Sequence, residues 1–237
     1  KGGNIEWSQP EIVLYDMDPK LQGMSYPDYI EQGGQMWLSE TQKNTARVHQ
    51  IDLDLLQGTW DQGEAAKVIE NGLVMNSNQA MLKGDALNFP TLPNLIEGGG
   101  FSIGLWLEID EFKPDQRILS TFGPQNKGIE ITTAQNHAVK LRIHDGERRE
   151  LETQYIVSDS NTISEGKLHH IVFIVDGAAN IGSVLVDGVL SDGSAETRPY
   201  GWERIYTFTK DMNDKYTCFF NSSFNGTVYQ MRGDDRY

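Results

Sequence analysis

Apolar and polar residues alternate with a period of two through most of this chain. The cleanest stretch is Phe101–Ile109, where Phe101, Ile103, Leu105, Leu107 and Ile109 alternate with Ser102, Gly104, Trp106 and Glu108. Alternate side chains of a strand point to opposite faces, so this stretch is predicted to be a core strand with one buried face. Leu168–Val175 is denser: Leu168, His170, Val172 and Ile174 share one face, and His169, Ile171, Phe173 and Val175 the other. Apolar residues on both faces predict a strand inside a sandwich rather than a half-wet edge. This run ends in Asp176-Gly177, and a second run, Ser183–Val186, ends in Asp187-Gly188 before Val189-Leu190. Asp-Gly steps take φ > 0 readily, so each predicts a tight turn, the second more sharply because strand residues flank it directly. The pattern predicts the central antiparallel hairpin of an all-β domain.

Other short strands follow from the same alternation. They are Ala80–Leu82, Ala86–Phe89, Arg117–Phe122, Gly128–Thr133, Val139–Ile143, Leu151–Val157, Arg204–Phe208, Tyr216–Phe220 and Thr227–Arg232, with loops at Pro90–Glu97 and Ser191–Trp202. The N-terminal part reads differently. Glu11–Tyr15, Tyr29–Glu31, Met36–Glu40 and Ala46–Ile51 form a meander of short strands, with a hairpin turn at Gln32-Gly33-Gly34-Gln35. Leu55–Lys67 holds Gly58 and Gly63, shows no clear period and reads as a linker, with a short helical turn at Glu64–Ile69. The expected division is residues 1–54 as a β appendage, 55–67 as linker and 68–237 as a β-sandwich.

Composition narrows the partners. The chain has 237 residues, 38% hydrophobic and 23% charged, in the range of globular proteins. No apolar run approaches the roughly 18–20 residues that span a bilayer. A formal net charge of −14 disfavours nucleic acid and anionic membrane surfaces, and is compatible with neutral sugars and with Ca²⁺. The one cysteine, Cys218, excludes an internal disulfide and is expected as a buried small residue in the strand Tyr216–Phe220. Lys1 opens the chain without Met, as expected of a processed or trimmed sequence.

The order Gly166-Lys167-Leu168-His169-His170, apolar strand, Asp-Gly, linker and Val184-Leu185-Val186-Asp187-Gly188 resembles a laminin-G-like, concanavalin-A-like jelly roll. The aromatic strand Gly100–Trp106 upstream and the closing strand Phe224–Arg232 stand in the order the family has them. The resemblance covers roughly Val68–Tyr237 and implies an all-β jelly-roll sandwich. It also implies one structural Ca²⁺ between an early strand and the closing strand, with Asp85, Asp234 and Asp235 as the candidate ligands.

A second resemblance lies in Met24–Ile30, Trp37–Lys43 and Ala46–His49, which are similar to the last blade of sialidase-like (BNR-type) propellers in bacterial polysaccharide-degrading enzymes. It implies a parent propeller domain, a secreted, periplasmic or cell-surface setting, and Tyr26 at the nucleophile position with Glu40 assisting. Pro27 follows Tyr26 where the family has Ser, and the other blades and the arginine cluster are not in this sequence. Tyr26 and Glu40 are therefore expected as structural remnants.

Other chemistry is sparse. His169 and His170 are adjacent, so on a strand they face opposite ways and form no metal pair; packing or hydrogen bonding at the strand's start is the expectation. No nucleophile elbow and no His-Glu-x-x-His occurs. Glu108 and Asp110 have the spacing of the paired carboxylates in some concanavalin-A-like glycosidases, but sit where the strand gives way to Phe112-Lys113-Pro114 and read as a solvated rim. Aromatic rings stack on pyranose faces, and Trp202 and Tyr206, with Arg198 and Arg204 as donors, are the candidates for a sugar site.

The expected function is that of a non-catalytic accessory domain binding carbohydrate, most readily neutral sugars, in a secreted or surface bacterial glycan-degrading protein. The alternatives are a structural spacer packed on a sialidase-like propeller and a fragment of an exo-sialidase-like glycoside hydrolase. The chain by itself is expected not to hydrolyse a panel of aryl glycosides that includes a sialoside. Turnover that disappears in Tyr26→Phe reverses that expectation.

Overall fold

In a computed structural model of the chain the alternation becomes strands, and the all-β expectation holds. The structure describes residues 13, 26–42, 45–61, 70–81, 84–147, 154–191, 193, 203–205, 208–213, 218–220 and 223–235. The chain divides into two compact units, Lys1–Ile69 and Glu70–Tyr237.

The first unit is an antiparallel meander of β1 (Asp28–Gln32), β2 (Gln35–Gln42) and β3 (Thr45–Ile51). Gly33 (φ 61°) and Gly34 (φ 75°) make the two-residue turn between β1 and β2, a conformation that residues with a Cβ resist. Where a linker was expected, helix α1 runs over Leu53–Asp61. Asp52 caps it, its Oδ1 accepting from the backbone N–H of Asp54 at 2.9 Å. Leu56 is its one buried residue and packs with Leu38 and Ile51, with Met36 and Val13 alongside. One buried position in a helix this short leaves no repeat to read, and Gly58 reinforced the loop reading. The expected helical turn at Glu64–Ile69 lies outside the described residues.

The second unit begins with β4 (Leu73–Ser77), β5 (Ala86–Leu87), β6 (Gly100–Ile109) and β7 (Arg117–Ser120). There follow β8 (Lys127–Ala134), β9 (Ala138–Asp145), β10 (Gln154–Val157), β11 (Leu168–Asp176) and β12 (Ile181–Val186). β13 (Val189–Leu190), β14 (Glu203–Arg204), β15 (Cys218–Phe220) and β16 (Gly226–Asp234) complete it. One sheet has the order β10-β9-β8-β7-β15-β5; the other is β13-β12-β11-β6-β16-β4, with β14 added on β12. Every pairing is antiparallel. The core between the sheets takes Phe101, Ile103, Leu105 and Leu107 of β6, Ile171 and Phe173 of β11, and Ile129, Ile131 and Leu141 of the facing sheet, all fully buried. Of the expected strand Ala80–Leu82, Met81 makes a single bridge to Val228, and Leu82 lies outside the described residues. β4, which pairs with β16, had no counterpart in the sequence reading.

Two details of the central hairpin depart from expectation. β11 lies between β12 and β6, but only its odd-numbered face is in the core; Leu168, His170, Val172 and Ile174 look outward and stay partly exposed. Trp106 shares that outer face and stacks on His170, ring centroids 4.4 Å apart. The Asp176-Gly177 step is not a tight two-residue turn. A loop over Gly177–Asn180 joins β11 to β12, and Asp176 Oδ1 accepts from the N–H groups of Ala178 and Ala179 at 2.8 and 3.1 Å. Gly177 is needed there for space, because a Cβ would stand 2.2 Å from the Gly99 carbonyl oxygen.

Asp187-Gly188 does make the predicted two-residue turn, with φ 54° and 79° between the paired Val186 and Val189. Its side chain ties the turn to the start of β11. The backbone N–H of His170 donates to Asp187 Oδ1 at 2.8 Å. Ser164 N–H donates to Nε2 of buried His169 at 3.0 Å, which leaves Nδ1–H to donate to Asp187 Oδ2 at 2.8 Å. His169 thus hydrogen-bonds at the strand's start, as the resemblance implied. Burial pushes the Asp187 carboxyl up, but the bonds from His170 N–H and the His169 ring outweigh it and hold it below the usual carboxylate value.

Asp187→Ala removes both acceptors and puts a Cβ residue without a local polar partner at positive φ, so it should cost about 2–3 kcal/mol. Asp187→Asn, which tolerates that φ and keeps one acceptor, should cost less. A depressed carboxylate pKa stabilises above the unfolded value and is lost as pH falls through the folded one, so the Ala penalty should shrink below about pH 4. Denaturant titrations at pH 7 and pH 3 measure both; equal costs for Ala and Asn would remove the turn tether as their cause.

Candidate functional site

The six-stranded sheet turns its apolar residues inward and a row of charges outward. On β8, Ile129 and Ile131 enter the core while Glu130 and Thr132 face out; on β9, Val139, Leu141 and Ile143 are buried while Lys140 and Arg142 face out. On β10, Ile156 is buried and Tyr155 is exposed. Register aligns these in two rows across the strands. One runs Ser120, Glu130, Arg142, Tyr155; the other runs Arg117, Thr132, Lys140, Val157. Arg117, Glu130, Thr132, Lys140, Arg142 and Tyr155 from these rows line a groove of about 520 Å³, with Asp115 and Ser223 completing its lining.

The groove is an ion-pair network. Glu130 lies between two guanidinium groups, 2.5 Å from Arg117 Nε and 3.5 Å from Arg142 Nη1. Arg142 Nη2 donates to Asn126 Oδ1 at 3.0 Å, and its guanidinium stacks 4.4 Å from the Phe122 ring. Lys140 Nζ reaches Asp115 Oδ1 at 2.6 Å and lies 5.7 Å from the Tyr155 ring centre. Glu130 and Thr132 are each only 6% exposed. The Thr132 hydroxyl, Arg142 Nε and Glu130 Oε2 are buried with no partner in hydrogen-bond geometry among the described residues. A buried polar atom left unbonded costs about 1–3 kcal/mol, so this surface is not tuned for stability alone. Chemically it offers cationic donors, a carboxylate acceptor, a hydroxyl and one exposed ring.

The candidates named from sequence are distributed elsewhere. Trp202, Tyr206 and Arg198 lie outside the described residues; Arg204 is in β14, opposite Ile181, and its side chain is likewise outside them. Glu108 is partly buried with the Tyr229 hydroxyl 3.5 Å away, and Asp110 is exposed where β6 ends. In the first unit, Glu40 is buried opposite Arg47, whose Nη1 is 3.3 Å from Oε1, while Tyr26 is 82% exposed. Cys218 opens β15.

The residues proposed for Ca²⁺ do not form a cage. Both Asp234 oxygens are held by Arg232, at 2.8 and 2.7 Å, and Asp85 and Asp235 are exposed. No group of three or more His, Cys, Asp or Glu side chains converges among the described residues. At Asp234 a hard cation would compete with the Arg232 guanidinium for the carboxylate oxygens.

Sequence reading missed Arg117, Glu130, Lys140, Arg142 and Tyr155. The alternation on β9 shows that Lys140 and Arg142 face away from the core. Only the pairing of four strands shows that Glu130 and Thr132 lie among cations.

The family profile of the Concanavalin A-like lectin/glucanases superfamily matches residues 82–232. No curated protein sequence matches the chain. Among solved structures, a leech intramolecular trans-sialidase is similar at 12% identity and TM-score 0.46, over 71% of this chain and 26% of that one. The CBM40 domain of a Ruminococcus gnavus IT-sialidase is similar at 11% identity and TM-score 0.47, over 69% of this chain and 93% of that one. A Trypanosoma rangeli sialidase mutant is similar at 14% identity and TM-score 0.46, over 90% of this chain and 42% of that one. The chain thus spans about a quarter of the leech enzyme and under half of the trypanosome one. Likeness at this level describes the sandwich and says nothing of its ligand.

Adjacent threonines give a direct test of the groove's unspent hydroxyl. Thr133 Oγ1 accepts from Gln116 N–H at 2.9 Å and donates to the Lys113 carbonyl at 2.5 Å. Thr133→Val should therefore cost about 1–3 kcal/mol, whereas Thr132→Val should stay within about 0.5 kcal/mol of the parent. Chemical denaturation of the two variants decides it, and an equal loss for both would mean the Thr132 hydroxyl is structurally engaged.

Proposed function

The chain belongs to the concanavalin A-like lectin/glucanases superfamily, and we propose that it is a non-catalytic carbohydrate-binding domain whose site is the groove on β7–β10. The observation that carries this is the lining: cationic and carboxylate side chains able to donate and accept hydrogen bonds, beside the exposed ring of Tyr155. Sugars are bound by that combination, polar groups meeting hydroxyls while a ring covers an apolar pyranose face. Fold alone does not give function, so the reading stands on the groove.

Binding rather than hydrolysis is favoured by the state of the carboxylates. Asp115 and Glu130 are each engaged in an ion pair, Asp115 with Lys140 and Glu130 with Arg117. A place in a secreted or surface bacterial glycan-degrading protein rests on the blade-like sequence of Met24–His49. No helix among the described residues is long and apolar enough to cross a membrane.

A second reading, a structural spacer packed on a propeller, draws on a different face. Trp106, Leu168 and Tyr229 on the outside of the seven-stranded sheet are each more than a third exposed.

The test is a glycan array followed by titration of Tyr155→Ala and Trp202→Ala. Loss of at least tenfold in affinity in Tyr155→Ala, with an unchanged melting temperature, supports the groove. Loss only in Trp202→Ala moves the site to the loop named from sequence, and an array blank across plant, host and microbial glycans leaves the spacer reading.

A further inference from the structure

Resting on that glycan reading, we infer that the groove takes a sugar bearing a carboxylate, with Arg117 and Arg142 as its anion-binding pair. Neutral sugars were the sequence-based expectation, and the described side chains point the other way.

The first argument is local charge. Arg117, Lys140 and Arg142 line the groove against Asp115 and Glu130, an excess of one positive charge in a chain whose formal net charge is −14. Cations gather on this face although the whole protein's field repels anions, so recognition must come from short-range contacts rather than steering.

The second argument is the balance of donors and acceptors. A guanidinium carries five N–H donors and no acceptor. Arg142 uses one on Asn126 and approaches Glu130 only at 3.5 Å, well beyond the roughly 2.7–2.9 Å of a charge-assisted bond. Its Nε has no partner among the described residues. Glu130, the acceptor between the arginines, is ion-paired at Oε2 with Arg117 Nε at 2.5 Å, though that oxygen makes no hydrogen bond of good geometry among the described residues. Asp115 is taken up by Lys140. The Thr132 hydroxyl, placed by register between Arg117 and Lys140, is a further unspent group. Donors thus outnumber acceptors: two guanidinium groups of five N–H each and an ammonium face the carboxylates of Asp115 and Glu130. A neutral sugar brings hydroxyls that both donate and accept; a carboxylate brings acceptors alone and matches the surplus.

The third argument is geometry. The Phe122 ring lies against the Arg142 guanidinium, its centre 4.4 Å from Cζ, and a planar guanidinium can give two parallel bonds to a planar carboxylate. Tyr155 stands directly opposite Arg142 in the β9–β10 pairing. A pyranose with its carboxylate on the arginines can therefore lay its ring against the tyrosine. A sulfate ester is also an acceptor-only anion, but its tetrahedral oxygens match that plane less well.

The experiment compares uronate- and N-acetylneuraminate-terminated oligosaccharides with their carboxyl-reduced counterparts and with sulfated neutral sugars, by calorimetric titration against the whole chain. At least tenfold weaker binding after carboxyl reduction is expected. That difference should disappear in Arg142→Gln and in Arg117→Gln; the Arg117 side chain is half exposed, so its variant keeps the test valid if Arg142→Gln fails to fold. Equal binding of acid and reduced sugars, or binding of neutral or sulfated sugars alone, overturns the inference and leaves the glycan reading standing. A carboxylate preference that survives in both arginine variants also overturns it, because the anion then binds elsewhere. No binding of any sugar in the set or on the array overturns both.

Discussion

The sandwich depends on the burial of one face of Phe101–Ile109. Its five inward side chains have no solvent exposure, and each contributes roughly 1.5–3 kcal/mol by leaving water. β6 is paired along its length with β11 on one side and β16 on the other, so its inward face fixes the register of both neighbours. A slip of one residue would carry Leu105 and Leu107 to the outside, so the cost of misregister is nearly the whole core. Everything on the facing sheet, the charged groove included, is placed relative to that layer.

β16 shows how the layer overrides local pattern. By strict alternation Val228, Gln230 and Arg232 would share a face. The pairing with β6 instead shifts between Val228 and Gln230, so that Val228 and Met231 both enter the core and Tyr229 stands out in solvent. An extra residue in one strand of a pair is a bulge, and it reverses the face of all that follows. β7 carries another irregularity, between Arg117 and Leu119, and buries both Ile118 and Leu119 while Arg117 remains on the groove side. These shifts are properties of paired strands, so they leave no mark in one strand's sequence.

Legibility follows from that distinction. The core strand, the central hairpin and the Asp187-Gly188 turn were readable because each is written in one continuous stretch: a period of two, or a dipeptide that tolerates positive φ. Helix α1 was not, since Leu56 is its only buried residue, and β4 was not, since its place is set by β16. Gly177 was read for the wrong property. Its conformation is ordinary and its lack of a Cβ is what Gly99 requires. The groove was the least readable of all. Lys140 and Arg142 look like solvated outer residues until β8 and β10 bring Glu130 and Tyr155 beside them.

The groove's composition is itself informative about selection. Burying ionised side chains is costly, and well-packed apolar residues usually stabilise a fold at least as much as an ion pair of the same volume. This sheet could carry threonines, valines or exposed lysines on its outer face, as half-exposed strands commonly do. It carries instead a carboxylate almost closed off from water, two guanidinium groups that share it unequally, and a hydroxyl with no partner among the described residues. The unequal sharing matters most. A network built only to hold the sheet would bring Arg142 as close to Glu130 as Arg117 is. Arg142 is held also by Phe122 and Asn126, outside the pair itself, and its Nε has no hydrogen-bond partner among the described residues. Preorganised, unsatisfied donors are what a binding site needs before its ligand arrives, because the cost of orienting them has been met in folding.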